Sequence, residues 1–236
     1  MKTPCANKQG RNLEFKQILL EAFNGEAMRP PEPSNKIETE FSSRVAREVR
    51  AAINGPGIPV PFDRSYWVVP RCFLAGAYPG DLDPVKTEAN LRSFISVGIR
   101  GIIDLTRDGD CSQFGLRLLT YRGQWAKIGA DLGLGLAYHH RPITDLDVPL
   151  RDEMNQTLGI IDKAIENDRP IYVHCLGGIG RTGTVVGCWL ARHGIERGSE
   201  ILEVIQKLRR GEAGSYIPSP ETERQRRFVC GWQQGD

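Results

Sequence analysis

A chain of 236 residues with 40% hydrophobic content is long enough for one substantial core plus an appendage, and a net charge of +2 argues against a general nucleic-acid binder. No segment approaches the roughly 18 apolar residues of a membrane span, so no membrane association is expected and substrates should arrive from solution. The six cysteines (Cys5, Cys72, Cys111, Cys175, Cys188, Cys230) include no C-x-x-C pair, and the first residues lack the apolar run of a secretory leader; reduced thiols in a cytoplasmic protein are expected.

Residues 1–60 read as an N-terminal helical extension, two amphipathic helices split by Pro30-Pro31-Glu32-Pro33. The first carries Phe15, Ile18, Leu19, Ala22 and Phe23 on one face, the second Phe41, Val45, Val49, Ala52 and Ile53. Such faces pack on a core or dock a partner, and packing is the expectation.

From Tyr66 strands and helices alternate. Trp67-Val68-Val69-Pro70 and Cys72-Phe73-Leu74-Ala75 suggest an antiparallel edge hairpin. Asp83-Pro84 opens a helix carrying Val85, Leu91, Phe94 and Ile95 that stops at Gly98. Ile102 to Leu105 is the next strand, a Gly-rich region leads to a helix near Tyr121 to Leu132, and a strand follows near Leu136 to His140. Pro149 should begin a helix with Met154, Leu158, Ile161 and Ile165 on one face, feeding a short buried strand at Pro170 to Val173. An apolar helix, Thr184 to Arg192, ends at Gly194. Two helices close the chain: Ser199 to Arg210, with Ile201, Ile205 and Leu208 inward, and Ser219 to about Trp232, with Ser219-Pro220 as cap and first turn. The expected fold is α/β, a mainly parallel central sheet flanked by helices on both faces, with any ligand at the carboxyl ends of the strands.

Between the last strand and the apolar helix stands His174-Cys175-Leu176-Gly177-Gly178-Ile179-Gly180-Arg181-Thr182-Gly183. A strand-to-helix loop aims backbone N–H groups at one point, and the positive end of the helix dipole adds to them. Gly177, Gly178 and Gly180 let the backbone curl around an oxyanion. The amides, the dipole and Arg181 should all favour the thiolate of Cys175. Arg181 offers a planar fork for two phosphate oxygens. Thr182 places a hydroxyl beside the sulfur, where it could help sulfur leave a phosphocysteine.

These residues resemble the signature of the cysteine-dependent protein tyrosine and dual-specificity phosphatases: His-Cys, five residues, Arg, then Ser or Thr. The resemblance runs from about Tyr66 to the C-terminus and is nearest to compact dual-specificity enzymes of the kinase-associated phosphatase type. It implies that residues 61–236 are the catalytic domain, that Leu176 to Arg181 bind the substrate phosphate, and that His174 supports the loop. It further implies hydrolysis through a phosphocysteine without a cofactor or metal. The general acid is expected at Asp145 in Pro142-Ile143-Thr144-Asp145-Leu146-Asp147, where it matches the family's Pro-x-x-Asp arrangement. Asp147, just before Val148-Pro149, is explained by the dipole of the following helix.

Arg107 could face the same carboxyl edge or be a surface arginine beside Asp108 and Asp110. Gln225 gives no firm reason for a catalytic role. His139 and His140 should be one packed and one surface histidine, with no recurring partners for a metal. The five loop residues between Cys175 and Arg181 carry no charge, which favours a phosphorylated protein or peptide over a phosphoinositide or other small phosphate ester. Phosphotyrosine is expected, with phosphoserine and phosphothreonine open. A non-catalytic phosphate-binding module, a redox-active exposed thiol and an arsenate reductase are the other readings of the loop.

Overall fold

The computed structural model describes residues 34–111, 115 and 117–236, with side chains from residue 39 onward. The proposed helix carrying Phe15 to Phe23 lies outside them. Residues 40–236 form one compact body. Its five-stranded sheet has β1 (Ser65–Val69), β2 (Phe73–Gly76), β3 (Gly101–Asp104), β4 (Ala137–His140) and β5 (Ile171–His174) in the order β1-β2-β5-β3-β4. β1 and β2 form the expected antiparallel edge hairpin, and every other pairing is parallel.

Strand alternation decides which side chain enters which layer. Phe73, Ala75, Ile103, Ile171 and Val173 face one core, together with α4 (Arg151–Glu166), α5 (Gly180–Arg192), α6 (Glu200–Leu208) and α7 (Glu223–Cys230). Leu74, Ile102 and Tyr172 face the other, covered by α2 (Pro84–Ser96) and α3 (Arg122–Asp131) through Leu91, Phe94, Trp125 and Ile128. Both faces of the sheet are therefore closed by helices, as parallel strands require. Of α1 (Ser34–Asn54), Val45 and Val49 are fully buried in the first core, with Phe41, Ala52 and Ile53 packed against it. That face packs as a layer on the body, the expected use of this segment.

Three element boundaries depart from expectation. The helix after Pro149 begins at Arg151, because the Glu153 carboxylate reaches back to accept the Leu150 N–H at 3.0 Å and fixes the first turn there. Ser219-Pro220 does not cap the last helix: the Ser219 hydroxyl donates instead to Ile179 O at 2.7 Å, and Thr222 is the cap, accepting from Gln225 N at 3.2 Å while Gln225 Oε1 accepts the Thr222 N–H at 3.1 Å. Val85 of α2 points outward, 73% exposed, because it sits one residue past the helix start on the side away from Leu91 and Phe94.

Candidate active site

The carboxyl ends of the parallel strands converge on the loop 175–179, which leaves β5 at His174 and enters α5 at Gly180. Neighbouring backbone pins it: Tyr78 N donates to Leu176 O at 3.0 Å and Arg64 Nη2 donates to Gly177 O at 3.1 Å. Of the three loop glycines only Gly178 takes a positive φ, +74°. A Cβ there would lie 2.5 Å from the Gly76 carbonyl carbon, so both the turn and the close approach to β2 demand glycine. Gly183, one turn into α5, is packed so closely by Ser219 that a Cβ would meet its Oγ at 2.0 Å.

Arg181 is 1% exposed and makes most of the polar contacts that knit the site together. Nη1 donates to Ile143 O at 3.2 Å and Leu105 O at 3.4 Å and is ion-paired with Asp110. Nη2 meets Asp145 Oδ1 at 2.9 Å. Burial works against its charge, but Cys175, Asp110 and Asp145 outweigh that and hold the guanidinium protonated. Its Nε, also buried, has no hydrogen-bond partner. An unmet buried donor costs about 1–3 kcal/mol, so this edge of the guanidinium is built for an acceptor that arrives from outside.

Cys175 stands at the base of the loop, 3% exposed as a residue. This differs from the open thiol the sequence suggested: the residue's backbone continues the buried strand β5, and the loop walls enclose it. The Thr182 hydroxyl donates to Gly76 O at 3.3 Å, tying α5 to the end of β2. His174 is fully buried, its Nδ1 3.0 Å from Cys175 O and its Nε2 2.5 Å from the Tyr121 hydroxyl. Burial, with Arg181 adding to it, pushes the imidazole below its ordinary range despite Asp104 Oδ1 at 3.8 Å, so the ring is neutral at pH 7. For Asp104 burial acts upward, but the neighbouring His174, two donors from Thr106 and the Tyr138 hydroxyl at 2.7 Å more than offset it and keep the carboxyl below the usual range.

The two candidate acids separate clearly. Asp145 is 59% exposed in its side chain and reaches Arg181. The Asp147 carboxylate is occupied, accepting from Val148 N at 2.7 Å and pairing with Arg224 Nε at 3.0 Å. The helix dipole invoked from the sequence is not its anchor, since α4 starts four residues later. Arg107 lies at the same edge, donating from Nη1 to Thr144 Oγ1 at 3.1 Å. His139 is half-buried and His140 exposed, with His140 Nε2 2.8 Å from Thr106 O.

Sequence reasoning missed two parts. Asp110, the partner of Arg181, carries no local signal. The other is the start of α7: Gln225 is fully buried and donates from Nε2 to Asp147 O at 3.1 Å, while the Thr222 hydroxyl donates to Leu146 O at 3.2 Å. Together they clamp the loop bearing Asp145 against the molecule. The Thr222-x-x-Gln225 spacing was the available clue, being that of a capping box.

Residues 79–195 match a family model described as a polymorphic toxin system, DSP-PTPase phosphatase. Two uncharacterised proteins of Methanocaldococcus jannaschii are 38% and 34% identical to this chain over 55 residues, 23% of it; the matches span only 37% and 35% of those proteins. Among solved structures the fold is similar to Tk-PTP in its active form (TM-score 0.51, 19% identity, 71% of this chain and 95% of that one). PTPMT1 in complex with PI(5)P gives 0.51 at 20% identity, covering 71% and 95%. A cysteine-to-serine variant of P. aeruginosa TpbA in complex with phosphotyrosine gives 0.51 at 14% identity, covering 74% and 87%.

Proposed function

Because this chain belongs to the dual-specificity and protein tyrosine phosphatases, we propose that it hydrolyses phosphomonoesters on a protein or peptide through a phosphocysteine, with residues 61–236 as the catalytic domain and 1–60 as its helical extension. The observation that carries this reading is the buried Arg181, whose Nε lacks an acceptor beside Cys175 and whose Nη2 holds the exposed Asp145.

A phosphate dianion entering the loop meets the backbone amides of Leu176 to Gly180, the start of α5 and the open edge of Arg181. Taking over the fork of the guanidinium displaces Asp145 toward the leaving oxygen, and a dianion beside that carboxylate favours its protonated form. The Cys175 thiolate attacks phosphorus as the bond to the ester oxygen breaks, and Asp145 gives its proton to the departing phenol or alcohol. Water then attacks the phosphocysteine, now-ionised Asp145 accepts its proton, and sulfur leaves as a thiolate toward which the Thr182 hydroxyl rotates. Neutral His174, held between Tyr121 and the Cys175 carbonyl, keeps the loop in place without taking a proton.

The uncharged loop residues Leu176, Gly177, Gly178, Ile179 and Gly180 support a phosphopeptide substrate, phosphotyrosine foremost, in a reducing cytoplasmic setting. Two of the similar folds carry PI(5)P and phosphotyrosine in their structures, so a phosphoinositide is the second reading. Turnover of a chromogenic aryl phosphate, abolished in Cys175→Ser and reduced by at least about a hundredfold in Arg181→Lys, tests the proposal. Retained activity in Cys175→Ser overturns it.

A further inference from the structure

Beside the phosphate loop the β3–α3 connection and the ends of β3 and β4 enclose a polar cavity of about 340 Å³. It is within the size range of small-molecule sites. Its walls include Arg107, Arg117, Arg122, Tyr78, Tyr138 and His140. It is joined to the candidate active site through Asp110, which lines the cavity and pairs with Arg181.

The charges on these walls are not equally engaged. Asp104 already accepts from Thr106 and Tyr138, and Asp110 accepts from Arg181 and from Arg107 N at 3.2 Å. The exposed Asp108 is the one wall carboxylate with neither an ion pair nor a hydrogen bond among the described residues. The guanidinium groups are largely unspent: Arg107 has only the Thr144 hydroxyl, Arg122 lies over the Tyr138 ring at 5.2 Å, and Arg117 has no carboxylate partner among the described residues. Three planar forks facing one polar cavity, none of them neutralised, make a cradle for an anion with several oxygens.

We propose that this cavity is a subsite for a second phosphoryl group on the same substrate, so that the enzyme selects multiply phosphorylated ligands whose scissile phosphate sits over Cys175. The inference rests on the phosphatase reading above. The group chemistry is common to a doubly phosphorylated peptide and a ring carrying two phosphates, and the test separates these sources.

The experiment compares kcat/KM of the full chain for three pairs: a phosphotyrosine peptide with and without a second phosphorylated residue within three positions, an inositol bisphosphate against its monophosphate, and an aryl phosphate with and without a distal phosphate. At least one pair should favour the doubly phosphorylated member about tenfold, through KM, with the advantage fading as salt rises. The pair that responds identifies the source. In Arg117→Ala and Arg122→Ala that ratio should fall toward one, and Arg117→Lys should restore part of it. No preference in any pair, or a preference that Arg117→Ala and Arg122→Ala leave intact, overturns the subsite. If no probe is turned over, the phosphatase reading fails instead; calorimetric binding of the same pairs to Cys175→Ser then decides the subsite alone, by a preference that disappears or persists with Arg117→Ala.

Discussion

Asp145 Oδ1 lies 2.9 Å from Nη2 of Arg181, so a carboxylate 59% exposed is joined to a guanidinium side chain only 1% exposed. The pair sets the loop carrying the candidate acid at the rim of the phosphate site, where an incoming phosphate must take its place on the arginine. Asp145→Ala should lower kcat by about 10²–10⁴-fold with little change in KM, while Asp147→Ala, which loses only a contact to Arg224, should change kcat by less than about tenfold. Steady-state kinetics on one phosphotyrosine peptide checks both, and the reverse ranking would move the acid to Asp147.

Gly178→Ala should abolish turnover. The substitution forces a side chain into φ +74° and against the Gly76 carbonyl carbon at 2.5 Å, so the loop must move away from β2. Left-handed strain alone costs about 1–3 kcal/mol, and the clash adds to it. The melting temperature should fall, and binding of orthovanadate, read by protection against thiol alkylation, should be lost. Normal vanadate protection in this variant would contradict the described loop geometry.

Gln225→Ala leaves the Asp147 carbonyl without its buried donor and removes half of the capping box on α7. A loss of about 1–3 kcal/mol in urea denaturation is expected. Because the same bond holds the loop bearing Asp145, kcat should fall more than KM rises. A variant less stable but with unchanged kcat would make Gln225 structural only.

The buried imidazole of His174 gives stability a defined pH dependence. Its folded-state affinity for a proton is depressed, so its contribution is complete above the unfolded histidine value near 6.5 and is lost as pH falls below it. The urea midpoint should therefore drop between pH 7.5 and 5, and His174→Asn, though less stable at pH 7.5, should show a shallower slope over that interval. Parallel slopes would count against a neutral buried ring.

The sequence disclosed most of what periodicity and a contiguous motif encode. Met154, Leu158, Ile161 and Ile165 are all buried on one face of α4, and the alternation of Phe73, Leu74 and Ala75 sorted them between the two cores. The loop from Cys175 to Arg181 was legible because its residues are neighbours in the chain. Asp110 was not, since its meeting with Arg181 spans 71 positions and depends on how the β3–α3 connection folds back. Ser219-Pro220 looked like a helix start because both residue types favour one; the tertiary bond of Ser219 to Ile179 claimed the hydroxyl, and the cap passed to Thr222. Val85 misled for a simpler reason, as an apolar residue in a first turn still faces water when the helix lies along the sheet on its other side.

The most direct measurement is rapid acid quench of the enzyme during turnover of an aryl phosphate, followed by peptide mass spectrometry. The account predicts one phosphoryl group on the peptide containing Cys175, accumulating further in Asp145→Ala with a good leaving group and absent from Cys175→Ser. A phosphoryl group on any other residue, or full turnover by Cys175→Ser, would contradict it.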